Sequence, residues 1–191
     1  SRHMMVYLFA RYMMVKRQYE EVVSACKTAH LLSIRENSFT MIDIYMGLVC
    51  AVGFHNLGMT EGRDRALMFV GESALPHGFI TPFAEYFRLT GGAMEALYAE
   101  RWPNQLERIK AQHEQTWKRW IDFHNHFTRD NITTILSNRE YLIAQIIAGG
   151  GTYKDAAAES GLSLGTVKNT ISEIYSKLCI SKKSELAKYI L

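Results

Sequence analysis

The chain has 191 residues, 48% of them hydrophobic, and a formal net charge of +3. This length allows one large domain or two small ones, and so small a charge excludes any argument for nucleic-acid binding from bulk charge alone. The three cysteines include no CxxC pair, which argues against a zinc finger and a disulfide framework. No apolar run reaches the ~18 residues of a membrane span. Together these features predict a cytoplasmic protein.

The amino-terminal two thirds of the chain are predicted to be helical. Apolar residues recur there at intervals of three and four, and the period-2 alternation of half-buried strands is absent. The predicted helices cover 5–16, 18–34, 39–58, 62–76, a stretch after Pro82, and 103–125.

The second and fourth of these helices show a repeat. Corresponding residues lie 44 positions apart, in the pairs Val22/Ala66, Ala29/Ser73 and Leu31/Leu75. Helix pairs that recur at such a spacing are typical of α-solenoids. We therefore predict an all-α protein whose residues 5–127 form a tetratricopeptide-like helical-repeat body.

A polar stretch over 128–134 is predicted to be a linker, and residues 135–191 a second domain of four short helices. Ser137 and Thr152 are each followed three residues later by an acidic residue, the spacing of a capping box. Further helices are predicted to begin at Ser163 and near Ser181. The glycines at 149–151 and Gly161 mark the ends of the first two.

The third of these helices has two contrasting faces. At ~100° per residue, Val167, Ile171, Ile174 and Leu178 form a narrow apolar stripe that is expected to face a core. The opposite face carries Gly165, Lys168, Asn169 and Ser172. Lysine can contact guanine O6 and N7 in the major groove, and asparagine can bond twice to an adenine edge. An ordinary amphipathic surface helix is the alternative interpretation.

The preceding short helix over 153–160 is rich in alanine, which suits close helix crossing, and Gly161 suits the turn between the two helices. We interpret the pair as a helix-turn-helix motif spanning Tyr153 to Ser172, with 163–178 as the recognition helix. Thr166, beside the free N–H groups of the first turn, is suited to a phosphate oxygen.

From Leu136 onward the chain resembles the LuxR-type helix-turn-helix domain of bacterial transcription regulators. The matching stretches are 136–140, 148–150, 153–155 with Ala157, 162–163, 166–168, 174–178 and 185–186. The sequence departs from the family pattern at Ala156, Ser160, Thr170 and Ser172. A serine at 172 where a basic residue is common weakens attraction to the DNA backbone.

The resemblance implies base contacts from Lys168, Asn169 and Ser172, and phosphate contacts near Thr152, Lys154, Thr166 and Lys177. With Ser163 and Gly165 at the start of the recognition helix, the predicted DNA-binding set is Thr152, Lys154, Ser163, Gly165, Thr166, Lys168, Asn169, Ser172 and Lys177. The expected partners are double-stranded DNA and, for a transcription regulator, RNA polymerase.

The resemblance also implies frequent dimerisation through the last helix, about 182–191. That helix carries Leu186, Tyr189 and Ile190, more apolar surface than a short helix buries against three others. We therefore expect a homodimer on DNA. The alternative is that these residues close the domain's own core.

The stretches 74–83 and 92–97 resemble the end of the helical-repeat region in large LuxR-family activators of the maltose-regulator type. In such proteins an ATP-binding module, a helical-repeat sensor and the DNA-binding domain follow in order, so the chain is expected to be the carboxyl-terminal part of one or a shortened relative. No Gly-x-x-x-x-Gly-Lys-Ser/Thr motif and no defensible catalytic grouping occur. We predict no enzymatic activity, no metal and no cofactor.

Two other functions remain open. The helical body is a candidate sensor of a small-molecule inducer or a peptide, or a protein-interaction module, with DNA binding as its readout. A sigma-factor fragment is the other candidate, since region-4 domains share the Gly165–Lys168 start. The stretch 174–178, followed by Ile180 and Lys183, favours the LuxR type.

Overall fold

The computed structural model describes residues 2–36, 39–127 and 135–190, without the side chains of 34–36 and 124–127. Every regular element in these ranges is a helix, which confirms the all-α prediction. The α-helices are α1 (Arg2–Val15), α2 (Tyr19–Glu36), α3 (Met41–Asn56), α4 (Thr60–Ala74), α5 (Thr81–Tyr86), α6 (Ala93–Arg101), α7 (Pro103–Phe127), α8 (Asn138–Ala148), α9 (Tyr153–Ser160), α10 (Leu164–Leu178) and α11 (Lys183–Ile190). In this part of the chain no helix is long and apolar enough to span a membrane.

The chain forms two compact units, residues 1–117 and 118–191, and the division falls within α7. The predicted domain limits, 5–127 and 135–191, stay a prediction. The predicted linker over 128–134 lies outside the described residues.

Helix α3 forms the centre of the first unit, the body. It packs against α1, α2, α4 and α5. Its middle section is buried on every side, with Leu48, Val49 and Ala51 fully inaccessible. A Cβ added at Gly47 would lie 2.2 Å from Val70 Cγ1, so the glycine permits close approach of α4. A helix that is apolar all round belongs in the interior, and α3 serves as the body's core.

Residues that lie 44 positions apart do not occupy equivalent surroundings in the structure. Leu31 is 67% exposed, whereas Leu75 is 1% exposed. The reason is local: Leu31 lies within α2, but Leu75 begins a 3-10 turn, Leu75–His77, that packs back on α4.

Helix α6 was also not predicted, because its short sequence has little periodicity of its own.

The four predicted helices of the second unit are confirmed as α8–α11. Helix α8 packs on α9, α10 and α11, and α9 packs on α10. The predicted capping box at the start of α8 is also confirmed: Ser137 N–H donates to Glu140 Oε2 at 2.8 Å, and Glu140 N–H donates to Ser137 Oγ at 3.3 Å. The buried side chains that form this small core are Ile135, Leu136, Ile143, Ala144, Ile147, Ala156, Val167, Ile171, Ile174, Leu178 and Leu186.

Candidate nucleic-acid interface

Helix α9 begins with a second capping box. Thr152 N–H and its hydroxyl both donate to Asp155 Oδ2 at 2.7 Å, and Asp155 N–H donates to Thr152 Oγ1 at 3.2 Å. The hydrogen bond from the Thr152 backbone, followed by that from its side chain, lowers the pKa of Asp155 below its ordinary value. Lys154, in the same first turn, is exposed to solvent. The cap therefore holds the start of α9 in place beside an exposed cation.

The turn between α9 and α10 depends on a left-handed residue. Gly161 has a φ of +67°, and its N–H donates to the Ala157 carbonyl. The next amide, Leu162 N–H, donates to the same carbonyl at 3.2 Å. A side chain at 161 would strain this backbone. Ala156 on α9 is completely buried, as close packing of the two helices requires.

Helix α10 begins at the N-cap Ser163. Its Oγ accepts from Thr166 N–H at 3.1 Å and lies 2.8 Å from Thr166 Oγ1. Both residues are exposed. The hydroxyls of Thr152 and Ser163 thus have capping roles in addition to any contact with DNA. Thr170, one of the predicted departures from the family pattern, donates its hydroxyl to the Thr166 carbonyl at 3.0 Å within the helix.

The apolar stripe of α10 is buried as predicted: Val167, Ile174 and Leu178 are 0% exposed and Ile171 is 3% exposed. On the other side, the structure brings Gly165, Lys168, Asn169 and Ser172 together on one exposed face. We call these four residues the exposed face of α10.

Gly165 has no packing reason to be glycine. A Cβ there would meet Ser163 Oγ at 3.8 Å, an ordinary contact. Glycine inside a helix destabilises it by roughly 0.5–1 kcal/mol relative to alanine. Its presence leaves the first turn of the exposed face without a side chain, which suits close approach of a partner.

Lys177 is a correction to the predicted DNA-binding set. Its ammonium lies 2.8 Å from Glu140 Oε1 and 2.9 Å from Glu140 Oε2. Both side chains are about nine-tenths buried, at 11% and 9% exposed. An ammonium held in this way is not presented to a phosphate, so Lys177 belongs to the domain's core. Helical spacing places Lys177 at the border of the apolar stripe, and its partner lies 37 residues away in sequence.

Leu186 corrects the predicted dimer surface. It is 0% exposed and packs in the core where α11 meets α8. Tyr189 and Ile190 are half-buried. The alternative that the last helix closes its own domain therefore holds for Leu186.

The sequence analysis did not predict that two large apolar residues and one acidic residue are exposed on α9 and α10. Tyr153 and Leu164, the first residues of α9 and α10, are 38% and 39% exposed. A large apolar residue directly after an N-cap was the available signal. Glu173, an acidic residue four positions after Asn169 on α10, is also exposed. The exposed face of α10 is thus polar, and Lys168 is the one cation among its four residues.

Residues 134–190 match the model of the GerE family, described as bacterial regulatory proteins, luxR family. This carboxyl-terminal stretch of the chain is therefore similar to that family. The match covers less than a third of the 191-residue chain and includes all nine residues of the predicted DNA-binding set. No match was found among curated proteins or among solved structures. The resemblance of the body to maltose-regulator-type activators therefore stays a prediction, and the similarity of residues 134–190 to the luxR family carries the functional argument.

Proposed function

We propose that the protein is a transcription regulator that binds duplex DNA sequence-specifically, with residues 163–178 lying in the major groove. The observation that carries the proposal is the exposed face of α10, a polar surface opposite a buried apolar stripe. Lys168 is suited to guanine and Asn169 to adenine, with Ser172 adaptable to either. The body is proposed to act as a sensor or interaction module, and RNA polymerase is the partner on which a DNA-bound regulator would act.

Selection of bound sites from a pool of random duplexes, with the full chain as bait, tests this function. We expect a short enriched sequence whose binding exceeds that of random duplexes by at least the ~10³-fold typical of specific recognition. Non-specific binding is dominated by phosphate contacts and gives no enrichment. Recovery of random sequences alone would contradict the proposal.

We propose that Lys154 and Thr166 contact phosphates rather than bases. Lys154→Ala should then weaken binding to selected and random duplexes by the same factor. The slope of log K against log salt concentration should become shallower by about 1, because one fewer counterion is released. Titrations at several salt concentrations measure both effects. Lys16→Ala, which removes one charge from the body, is the control and should change neither. A loss confined to the selected duplex would instead assign Lys154 to base contact.

We propose that a dimer forms on DNA through the accessible parts of Tyr189 and Ile190. A domain with few cations gains affinity when a tethered second copy engages a second half-site. Tyr189→Asp should therefore abolish double occupancy of a duplex with two half-sites while leaving single-site binding in place. Sedimentation of the protein–DNA complexes gives the stoichiometry. Intact double occupancy by the folded variant would exclude this surface.

A further inference from the structure

The body contains a pocket of about 330 Å³ between α2, α3 and α4. This volume lies at the lower end of the ~300–1,000 Å³ range of small-molecule sites. Its floor is formed by the buried residues Met46, Cys50 and Phe54. The exposed side chains of Lys27, Arg65 and Phe69 stand at its mouth. The pocket is therefore apolar at depth and carries cations where it meets solvent.

The cations at the mouth are poorly compensated. Lys27 Nζ lies 5.5 Å from the centroid of the Phe54 ring, and no carboxylate among the described residues forms an ion pair with it. Arg65 pairs with Glu61 at 3.6 Å, but their side chains are 75% and 84% exposed. Exposed pairs of this kind contribute little. Both cations are thus available to an anionic ligand.

Asp43, the acidic residue that lines the pocket, is already satisfied within the protein. It accepts hydrogen bonds from Ser33 Oγ, from Thr40 N–H at 2.6 Å and from Thr40 Oγ1 at 2.8 Å. Burial raises the pKa of Asp43, but these hydrogen bonds outweigh it and lower the pKa below its ordinary value. The carboxylate therefore serves as the cap of α3 rather than as a counter-ion for Lys27.

The aromatic side chains of the pocket are held in place by packing. A Cβ at Gly62 would lie 2.8 Å from the Phe54 ring, so the glycine lets α4 rest directly on that ring. Phe69 meets His30 edge-to-face with ring centroids 5.0 Å apart. The result is a preformed apolar space with Lys27 and Arg65 on its rim, a shape and charge that fit one class of ligand.

We propose that this pocket binds a small organic carboxylate, whose apolar part lies against Met46, Phe54 and Phe69 and whose carboxylate lies between Lys27 and Arg65. The proposal deepens the sensor role proposed for the body and rests on it for its biological purpose. Binding itself is independent of DNA and is measured without it. If the protein failed to recognise DNA, ligand binding in the pocket could still be measured. If the pocket bound no carboxylate, the test of DNA recognition would be unaffected.

Calorimetric titration of the full chain with octanoate and 2-naphthoate, each compared with its neutral amide, tests the proposal. We expect 1:1 binding, with at least one acid held about tenfold more tightly than its amide. The double variant Lys27→Gln/Arg65→Gln should lower the affinity of that acid to that of the amide. The matched variant Lys16→Gln/Arg108→Gln, which removes the same charge elsewhere, should leave it unchanged.

Ala66→Phe provides a second test, since Ala66 lines the pocket and a larger side chain there fills it. This variant should weaken the acid and the amide alike. Equal affinity of acid and amide for the unmodified chain would overturn the proposal without any variant. It would also be overturned if none of the four probes bound, or if the control double variant lost the acid as strongly as the pocket variant.

Discussion

Lys177→Met should unfold the carboxyl-terminal domain, residues 135–191, while the body stays folded. The substitution removes the ammonium that lies 2.8 Å from Glu140 Oε1 and leaves a carboxylate that is nine-tenths buried without its counter-charge. Breaking a buried pair in this way costs ~3–5 kcal/mol. A domain of this size has little more stability than that, so the variant should lose both its fold and its DNA binding.

Amide hydrogen exchange of the full-length variant gives the measurement, since it follows each region separately. Protection over 138–178 should be lost and protection over 44–70 kept. The double variant Glu140→Gln/Lys177→Met is the control: it removes both charges, and glutamine can still accept from Ser137 N–H as a capping-box residue. We expect it to regain most of the protection. Equal unfolding of the single and double variants would show that the ion pair is not the cause.

Ile171→Ala should destabilise the same domain by ~2–5 kcal/mol, because it empties part of a close-packed core. Ile171 is 3% exposed and lies between Val167 and Ile174 in the buried stripe of α10. The free energy of unfolding from urea titration, followed by circular dichroism, should show the domain's transition shifted to lower denaturant.

Glu173→Ala, two residues further along the same helix, is the matched control, since this side chain is exposed. It should leave stability within ~0.5 kcal/mol of the unmodified protein, as is usual for surface positions. If Ile171→Ala and Glu173→Ala had equal effects, the assignment of buried and exposed faces to α10 would be wrong.

The features predicted correctly are those determined by local chemistry. The caps at Ser137, Thr152 and Ser163 depend on residues three positions apart, and Gly161 suits the positive φ of the turn after α9. The two faces of α10 follow from the helical period alone. Such features can be predicted without knowledge of what the helix packs against.

The features that were missed depend on partners distant in sequence. Lys177 has the positive charge expected of a phosphate-binding residue. Only its ion pair with Glu140 on α8 shows that it belongs to the core. Leu186 is an apolar residue on a short helix, which in the sequence suggests a dimer contact. In the structure it is buried where α11 packs on α8. In the body, the pocket arises where three helices converge, and the individual residues of α2, α3 and α4 give no local indication of it.

The most direct test of the central claim, that the exposed face of α10 contacts bases, is the base preference of Asn169→Ala. On duplexes selected by the unmodified chain, single-base substitutions should reveal one position whose preference is lost in the variant, with a cost of ~1–3 kcal/mol for the best sequence. Preference at the other positions should persist, and Glu159→Ala on α9 should change none. If Asn169→Ala kept both its affinity and its preference at every position, α10 would not be the recognition helix.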